Sequence, residues 1–336
     1  MTRRAWVALC LAAAAAGIMA PAVRAEVGTV HIAQQFGVTY LPLMYMQHEK
    51  LLEKHAKQQG LGEVTVEWVQ FGSGTGMNDA LLSGHLDFAS GGLGPFITLW
   101  AKTHGNLEVR GVCAMNNMPL YLNTRDANVK SIRDFTANDR IALPAIKVSF
   151  QAVNLQMAAA KEFGQENYAK LDPLTVSMKH PDGMAALLSA GNEVSAHFTA
   201  PPFQYQELDH PGIHKVLDSY AIAGGPHTFT VVWASGKFRE QNPGIYKAFL
   251  AAFNEAIDAI NRDKAKAADN YIAWSSYKGP RDLVLKVLND PLVTFTTTPN
   301  RITTYAGFMH AIGAVKMKPA SWKDMFFPEI HGLPGS

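Results

Sequence analysis

The stretch Ala80-Leu-Leu-Ser-Gly-His-Leu-Asp-Phe-Ala89, followed by Pro95-Phe96, has a second copy about a hundred residues further along the chain. That copy is Ala186-Leu-Leu-Ser-Ala-Gly-Asn-Glu-Val-Ser-Ala196, followed by Pro202-Phe203, and it is longer by one inserted residue. Each copy has the pattern of a helix end, a break containing glycine, a short apolar strand and a turn rich in glycine and proline. A repeated α/β unit predicts two similar lobes, with a cleft between them that suits closure around a small molecule.

On both sides of the repeat, segments with the periodicity of strands alternate with segments of helical periodicity. The predicted strands are Val27–Ala33, Val64–Val69, Leu86–Ala89, Leu107–Met115, Arg140–Leu143, Thr175–Met178, Val194–Phe198 and Thr228–Ala234. The predicted helices are Tyr40–Leu52, Met77–Leu82, Ser149–Phe163, Met184–Leu188, a long helix from Pro243, Leu283–Leu288 and Ile302–Val315. This alternation predicts the α/β class, with a mostly parallel sheet flanked by helices in each lobe.

Two crossings divide the chain into its lobes. The first, Asn116–Asn123, leads out of the first lobe, and the strand Thr228–Ala234 brings the chain back to it. We therefore expect residues 26–118 in the first lobe, 119–230 in the second, and 231–336 in the first again.

The first 25 residues have the pattern of a secretory signal. Arg3-Arg4 precedes an apolar run from Ala5 to Ala20, and Val23-Arg24-Ala25 places small residues at the −3 and −1 positions of a cleavage site. This pattern predicts export to the periplasm and cleavage after Ala25, through either the general or the twin-arginine route.

Charge and cysteine content exclude several function classes. Without residues 1–25, 27 of the 30 basic residues remain against 28 acidic ones, and this balance argues against nucleic acid as a partner. Cys113 is then the only cysteine, so an internal disulfide and a thiolate metal cluster are both excluded. It lies in the apolar run Val109–Met115 and is predicted to be an inert core residue. We expect no metal and no cofactor.

In open α/β sheets, ligands bind beyond the carboxyl ends of the strands. The turns at those ends supply small hydroxyls, amides, aromatic rings and glycines that leave backbone N–H groups free. His180 joins them at the end of its strand. The candidate ligand-binding residues are Gln34, Gln35, Phe36, Thr39, Tyr40, Ser73, Thr75, Ser90, Gly91, Ser149, His180 and Thr199.

Three of these hydroxyl residues, Ser73, Thr75 and Ser149, are predicted to stand immediately before helices. A helix N-terminus presents free N–H groups and the positive end of the helix dipole, which favour an anionic group. The same residue types also serve as ordinary N-caps, and the sequence leaves both roles open.

The order of these segments resembles the nitrate/sulfonate/taurine family of periplasmic substrate-binding proteins of ABC importers (NitT/TauT, SsuA/THI5-like). The resemblance covers nearly all of the chain after residue 25. It is carried by His31-Ile-Ala-Gln-Gln-Phe-Gly37, Gly72-Ser-Gly-Thr-Gly76, the Ala80 and Ala186 repeats, Ile141-Ala-Leu-Pro144 with Ser149, and Phe238-Arg-Glu-Gln-Asn-Pro243. It implies the type II periplasmic binding protein fold, with the ligand cleft between two hinged lobes. The chain departs from the family at Val148, where glycine is frequent, and in the proline-rich turn Thr199-Ala-Pro-Pro202.

The function that this resemblance implies is the capture of a small polar, anionic solute, such as a sulfonate, nitrate or carboxylate. The protein would act as a monomer and deliver the solute to a membrane permease. A sensor rather than an importer remains an alternative use of the same module. The same fold also suits a thiamine-pyrimidine-related binding protein or a small-molecule enzyme. Because the related pyrimidine synthases carry a cysteine-rich segment that this chain lacks, we expect a protein that is not an enzyme.

Overall fold

The computed structural model describes residues 26–336. The predicted signal segment and its cleavage site after Ala25 lie outside the described residues. The strands in this range are β1 (Thr29–Gln34), β2 (Thr65–Gln70), β3 (Ala89–Gly92), β4 (Arg110–Asn117), β5 (Tyr121–Thr124), β6 (Ile141–Leu143), β7 (Thr175–Ser177), β8 (Ala196–Thr199), β9 (His214–Asp218), β10 (Thr228–Ala234) and β11 (Thr294–Phe295). The α-helices are α1 (Leu41–His48), α2 (Leu51–Gln58), α3 (Gly74–Leu82), α4 (Leu93–Thr103), α5 (Phe150–Phe163), α6 (His180–Leu188), α7 (Phe203–Leu208), α8 (Ser219–Ala223), α9 (Gly236–Gln241), α10 (Pro243–Arg262), α11 (Lys264–Trp274), α12 (Arg281–Asn289) and α13 (Ile302–Ala311).

The first lobe is built on β1, β2, β3, β4, β10 and β11. β1 pairs with β2 in parallel, and a parallel bridge between Ile32 and Phe88 sets β1 beside the segment that leads into β3. β10 then pairs antiparallel with both β3 and β4, and β11 follows at the far edge beside β4. The strand order across the lobe is therefore β2, β1, β3, β10, β4, β11.

The second lobe has the strand order β7, β6, β8, β5, β9. Here β6 pairs in parallel with β7 and β8, while β5 pairs antiparallel with β8 and β9. The first five strands of the first lobe have the same order and directions. In each lobe, the fourth position is taken by a strand that has just crossed from the other lobe. This arrangement, with helices packed on the sheets, is the fold predicted from the sequence.

The two copies of the repeat occupy equivalent places in the two lobes. The copy beginning at Ala80 forms the end of α3 and the start of β3, and the copy beginning at Ala186 forms the end of α6 and the start of β8. Pro95-Phe96 then lies in the first turn of α4, and Phe203 is the first residue of α7. The repeat thus marks a duplicated structural unit.

The sheets differ from the sequence prediction in being mixed rather than mostly parallel. The crossing strands β5 and β10 enter their sheets from the opposite end and run antiparallel to their neighbours. Periodicity within one strand carries no information about this direction.

Several predicted element bounds also need correction. The predicted strand Leu86–Ala89 begins later, because β3 runs from Ala89 to Gly92. The predicted helix Tyr40–Leu52 is divided into α1 and α2 by Lys50, which has a left-handed φ of 49°. The predicted helix Met184–Leu188 begins earlier, because α6 starts at His180 and has a proline as its second residue.

The core is continuous and lies mainly in the first lobe. On α10, Tyr246, Phe249, Phe253 and Ile257 recur at helical spacing and are buried in this core. Cys113 is a free, fully buried thiol on β4, and burial raises its pKa far above the usual range. Among residues 26–336, the longest apolar helices fall short of what a bilayer crossing requires.

Candidate functional site

A cavity of about 20 Å³ lies between the two lobes, at the carboxyl ends of β1, β3, β6 and β7. We call it the inner cavity. Residues from both lobes line it: Gln35, Phe36, Thr39, Tyr40, Gly74, Gly92, Pro95, Pro144, Ser149, Phe150, Gln151, His180 and Phe229. None of these lining residues of the described chain is Asp, Glu, Lys or Arg.

The N-termini of α3, α4, α5 and α6 meet at the inner cavity. Gly74 is the first residue of α3, Gly92 caps α4, Ser149 caps α5, and His180 is the first residue of α6. Neither α4 nor α6 has a side chain bound to its free backbone N–H groups at the cap. The cavity is therefore surrounded by positive dipole ends while it lacks cationic side chains, an electrostatic setting that favours an anion.

Most of the predicted hydroxyl groups already have partners inside the protein. The Ser73 Oγ accepts a hydrogen bond from the Gly76 N–H at 3.5 Å, and the Ser149 Oγ accepts from the Ala152 N–H at 3.2 Å. Both serines are N-caps, and Ser149 also lines the inner cavity. The Ser90 hydroxyl donates to the Ala33 carbonyl at 2.6 Å and lies behind the cavity wall.

The hydroxyl groups of Thr39 and Thr75 differ in their hydrogen bonding: that of Thr39 has partners and that of Thr75 has none. The Thr39 Oγ1 accepts from the Asn116 Nδ2 at 2.9 Å and lies 3.2 Å from the Thr230 Oγ1. The predicted place of Thr75 before a helix is wrong, because the Ser73 cap starts α3 at Gly74 and puts Thr75 inside the helix. Its Oγ1 is buried and has no hydrogen-bond partner.

Of the predicted amides and glycine at the ends of β1 and β3, only Gln35 lines the inner cavity. The Gln35 Nε2 lies 3.4 Å from the Ser90 carbonyl oxygen, and a Cβ on Gly91 would stand 3.0 Å from the same Nε2 atom. Gly91 therefore supports Gln35 and does not line the cavity itself. Burial raises the pKa of Tyr40 far above its usual range, so its phenol stays protonated.

His180 connects the inner cavity to a buried polar network in the second lobe. Its Nε2 lies 3.3 Å from the Gln151 Nε2, and its Nδ1 lies 2.9 Å from the Thr199 Oγ1. Because an amide nitrogen can only donate, His180 accepts at Nε2 and carries its proton on Nδ1. Burial, and then the neighbouring His197, lower the pKa of His180 well below its usual value, so the ring is neutral at neutral pH.

Behind His180, the His197 Nδ1 lies 2.5 Å from the Glu207 Oε1, and the Asn123 Nδ2 donates to the Glu207 Oε2 at 2.9 Å. Both His197 and Glu207 are fully buried. The His197 Nε2 lies 3.5 Å from the His180 Nδ1, so the pair stands behind His180. Because His197 is fully buried and is not among the lining residues, the pair offers no base to a bound molecule.

Glycines allow the lobes to touch beside the inner cavity. A Cβ on Gly94 would stand 2.5 Å from the Val148 carbonyl oxygen, and one on Gly92 would stand 2.6 Å from the Phe150 Cβ. A Cβ on Gly37 would lie 2.8 Å from the Pro201 carbonyl oxygen. The two lobes are therefore in a closed arrangement.

A second, larger cavity of about 700 Å³ opens at the mouth of the cleft, and we call it the outer pocket. Phe36 lines both spaces. Of the predicted site residues, Gln34 and Phe36 line the outer pocket. Its other lining residues are Gly37, Met44, Gln47, His48, Trp68, Val69, Gln70, Pro181, Met184, Phe203, Gln206, Tyr271, Trp274, Ser275, Ser276, Tyr277, Lys278 and Gly279.

Sequence reasoning missed two groups of residues here. Phe150, Gln151 and Phe229 line the inner cavity, and the helical and strand periodicity of their segments marked them only as part of regular elements. The loop after α11 supplies much of the outer pocket, although it follows no predicted strand. The feature of the sequence that could have indicated this loop as part of a binding site is its run of aromatic and hydroxyl residues, Trp274, Ser275, Ser276 and Tyr277.

Comparisons with known proteins agree with this architecture. The sequence pattern of the NMT1-like family matches residues 23–274. No curated protein sequence matches the chain.

Solved structures share the fold at low sequence identity. The alkanesulfonate-binding protein SsuA from Xanthomonas axonopodis pv. citri, bound to MOPS, is 18% identical with a TM-score of 0.68, covering 87% of this chain and 95% of its own. The periplasmic nitrate-binding protein NrtA from Synechocystis PCC 6803 is 16% identical with a TM-score of 0.66, covering 89% and 84%. The Candida albicans CA3427 gene product, described as having the generic periplasmic binding protein fold, is 18% identical with a TM-score of 0.65, covering 87% and 92%.

Proposed function

The chain belongs to the NMT1-like family and has the periplasmic binding protein fold, and from this premise we propose that it is the solute-binding component of an ABC importer. Its ligand would be a small polar organic anion, with a sulfonate, carboxylate or nitrate-like head group. Residues 1–25 would direct the chain to the periplasm, and the membrane subunits of a permease would receive the ligand. The protein would work as a monomer.

The observation that carries this proposal is the convergence of helix N-termini from both lobes on a cavity without charged side chains. An anion there would be held by backbone N–H groups and the dipoles of α3 to α6, without a full countercharge. A cation would meet four positive dipole ends and is disfavoured for the same reason.

The twelve residues predicted from the sequence remain our proposed site, with differing roles. Gln35, Phe36, Tyr40, Ser149 and His180 would contact the head group directly, because they line the inner cavity. Thr39 also lines the inner cavity, but its hydroxyl is engaged by Asn116 and Thr230, so it would support the wall. The remaining residues would act from behind the wall or from the outer pocket: Gln34, Ser73, Thr75, Ser90, Gly91 and Thr199.

Ligand capture would occur through closure of the two lobes. We propose that residues 26–118 and 231–336 form the first lobe and residues 119–230 the second. A ligand that contacts both lobes binds the closed form better than the open form and shifts the population toward it. The closed form would then dock on the permease.

A thiamine-pyrimidine-related ligand and an enzyme on the same fold are the competing functions. The buried position of His197 and Glu207 counts against an enzyme, because their acid–base pair does not reach the cavity. A pyrimidine belongs in the same binding experiment as a competing ligand.

The test is thermal unfolding of the purified protein with nitrate, methanesulfonate, acetate, a pyrimidine and, as a cationic control, methylammonium. An anion at about 100 times its dissociation constant adds about 2.7 kcal/mol to the free energy of unfolding. Stabilisation by an anion but not by methylammonium is the expected result. Equal effects of both, or stabilisation by the pyrimidine alone, would contradict an anion site.

Ser149→Ala, with Ser235→Ala as its matched control, then locates the site. Both serines cap a helix, and the Ser235 Oγ accepts from the Phe238 N–H at 3.0 Å. Each substitution lowers the free energy of unfolding by about 1 kcal/mol. Only Ser149→Ala should weaken anion binding, because only Ser149 lines the inner cavity.

A further inference from the structure

The outer pocket has the size and the lining of a binding site in its own right. Its volume of about 700 Å³ falls within the range of small-molecule sites. Six aromatic residues line it, from both lobes and from the loop after α11: Phe36, Trp68, Phe203, Tyr271, Trp274 and Tyr277. Such a concentration of rings favours a planar, apolar partner over a second inorganic ion.

The half-buried Trp274 ring packs against two other rings at this pocket. Its ring is stacked on His48, with centroids 4.6 Å apart and planes 3° from parallel, and Tyr45 meets it edge-on at 5.0 Å. Partial desolvation lowers the pKa of His48, so the stacked partner is a neutral ring at neutral pH. A fixed aromatic surface binds a planar ligand with little loss of side-chain entropy.

Two acceptors without partners lie in the wall of the same pocket. The Oε1 atoms of Gln34 and Gln206 are buried and accept no hydrogen bond, although the Gln34 Nε2 donates to the Gln47 Oε1 at 2.9 Å. Gln34 belongs to the first lobe and Gln206 to the second. A ligand with N–H or O–H donors would satisfy them, and a donor reaching both would bind the lobes together.

The outer pocket and the inner cavity are neighbours around Phe36. Besides Phe36, which lines both, the adjacent residues His180 and Pro181 line one space each. The Phe203 ring of the outer pocket stacks on His180 with centroids 5.7 Å apart. One molecule could therefore place a small head group in the inner cavity and a larger body in the outer pocket.

From these observations we propose that the ligand is an aromatic acid whose ring carries an amino or hydroxyl group. The acid group occupies the inner cavity, and the ring lies among the aromatic residues of the outer pocket with its donor toward Gln34 and Gln206. Lys278, the one Asp, Glu, Lys or Arg among the pocket residues of the described chain, is exposed and leaves the ring surroundings uncharged. This inference rests on the proposed function, because it assigns the body of the same ligand.

The experiment measures binding of four sulfonates by calorimetry: methanesulfonate, pentanesulfonate, benzenesulfonate and 4-aminobenzenesulfonate. Stacking on an aromatic side chain strengthens binding about five- to 150-fold, so benzenesulfonate should exceed methanesulfonate by that factor. The amino group should add about tenfold through its hydrogen bonds. Pentanesulfonate binding as tightly as benzenesulfonate would overturn the aromatic class.

Two variants separate the ring from its donor. Trp274→Ala should weaken both ring ligands by at least about fivefold and leave methanesulfonate within about twofold. Gln206→Leu, which removes an amide at nearly constant size, should remove the advantage of the amino group while benzenesulfonate binding is unchanged. Unfolding curves of both variants establish that they are folded.

The experiment distinguishes failure of the outer-pocket assignment from failure of the proposed anion site. If methanesulfonate or nitrate binds but Trp274→Ala and Gln206→Leu leave all four affinities unchanged, the outer-pocket assignment is wrong and the anion site stands. If nitrate and all four sulfonates fail to bind the unaltered protein, the proposed function fails and this inference with it.

Discussion

Replacing Gly94 by alanine should weaken ligand binding without lowering the stability of the protein. In the closed arrangement, the added Cβ would stand 2.5 Å from the Val148 carbonyl oxygen and 3.2 Å from the Phe150 backbone nitrogen. The first distance is ~0.8 Å shorter than an ordinary carbon–oxygen contact of ~3.3 Å. Val148 and Phe150 belong to the second lobe, so lobe opening relieves the clash without disturbing the α4 helix that holds Gly94.

The expected magnitude follows from two opposed effects. Overpacking of this kind costs about 1–3 kcal/mol, and here only the closed form bears it. Ligand affinity should therefore fall roughly five- to 150-fold. In the open form, alanine inside a helix is more stable than glycine by about 0.5–1 kcal/mol, so the melting temperature without ligand should stay level or rise.

The assay compares anion affinity by calorimetry with the radius of gyration from small-angle scattering. Gly94→Ala should remain more open than the unaltered protein at the same anion concentration. Gly307→Ala is the matched control, because Gly307 lies inside α13 and a Cβ there meets no atom within 4 Å. The reasoning is refuted if Gly94→Ala binds its anion as tightly as Gly307→Ala does.

Three further predictions concern stability. Burial lowers the pKa of His227 to about 3, so below pH ~6.5 the folded state binds fewer protons than the unfolded state. The free energy of unfolding should therefore fall by up to about 1.4 kcal/mol per pH unit on acidification. Urea titrations at pH 7 and pH 5 should show a smaller loss of stability for His227→Gln than for the unaltered protein. Glu207→Ala leaves a fully buried His197 without its partner and should cost about 3–5 kcal/mol, whereas Glu255→Ala, at a partly exposed pair, should cost less than about 1 kcal/mol in the same titration. Phe249→Ala should cost about 3–5 kcal/mol with little effect on anion binding, because this fully buried ring stacks in the first-lobe core; an altered affinity with unchanged stability would contradict that role.

The sequence predicted those parts of the fold that depend on local pattern. The bounds of β10 and the start of α10 agree with the predictions, because a β-rich run and a proline followed by a regular apolar stripe are strong local signals. The start of α3 was missed because the Ser73 side chain, rather than the flexibility of the glycines after it, determines where the helix begins. Strand direction was missed because it depends on which lobe supplies each crossing strand.

The candidate site, too, was predictable where it depends on local pattern and not where it depends on long-range packing. Gln35, Phe36, Tyr40 and Ser149 were selected because ligands lie beyond strand ends in α/β sheets, and all four line the inner cavity. This rule could not find the outer pocket, since the loop after α11 reaches the cleft only through the packing of α10 and α11 on the first lobe. That contact joins residues separated by about two hundred positions and has no periodicity of its own.

The position of β10 between β3 and β4 has a consequence for biogenesis. A chain made from its N-terminus completes β3 and β4 more than a hundred residues before β10 emerges, so the first sheet has an open slot with two unpaired strand edges in the meantime. All strands of the second sheet lie between Tyr121 and Asp218 and can pair before β10 is made. The nascent chain therefore has a complete second sheet while the first sheet still lacks the strand that joins β3 to β4, and such unpaired strand edges are exposed to aggregation until β10 is made.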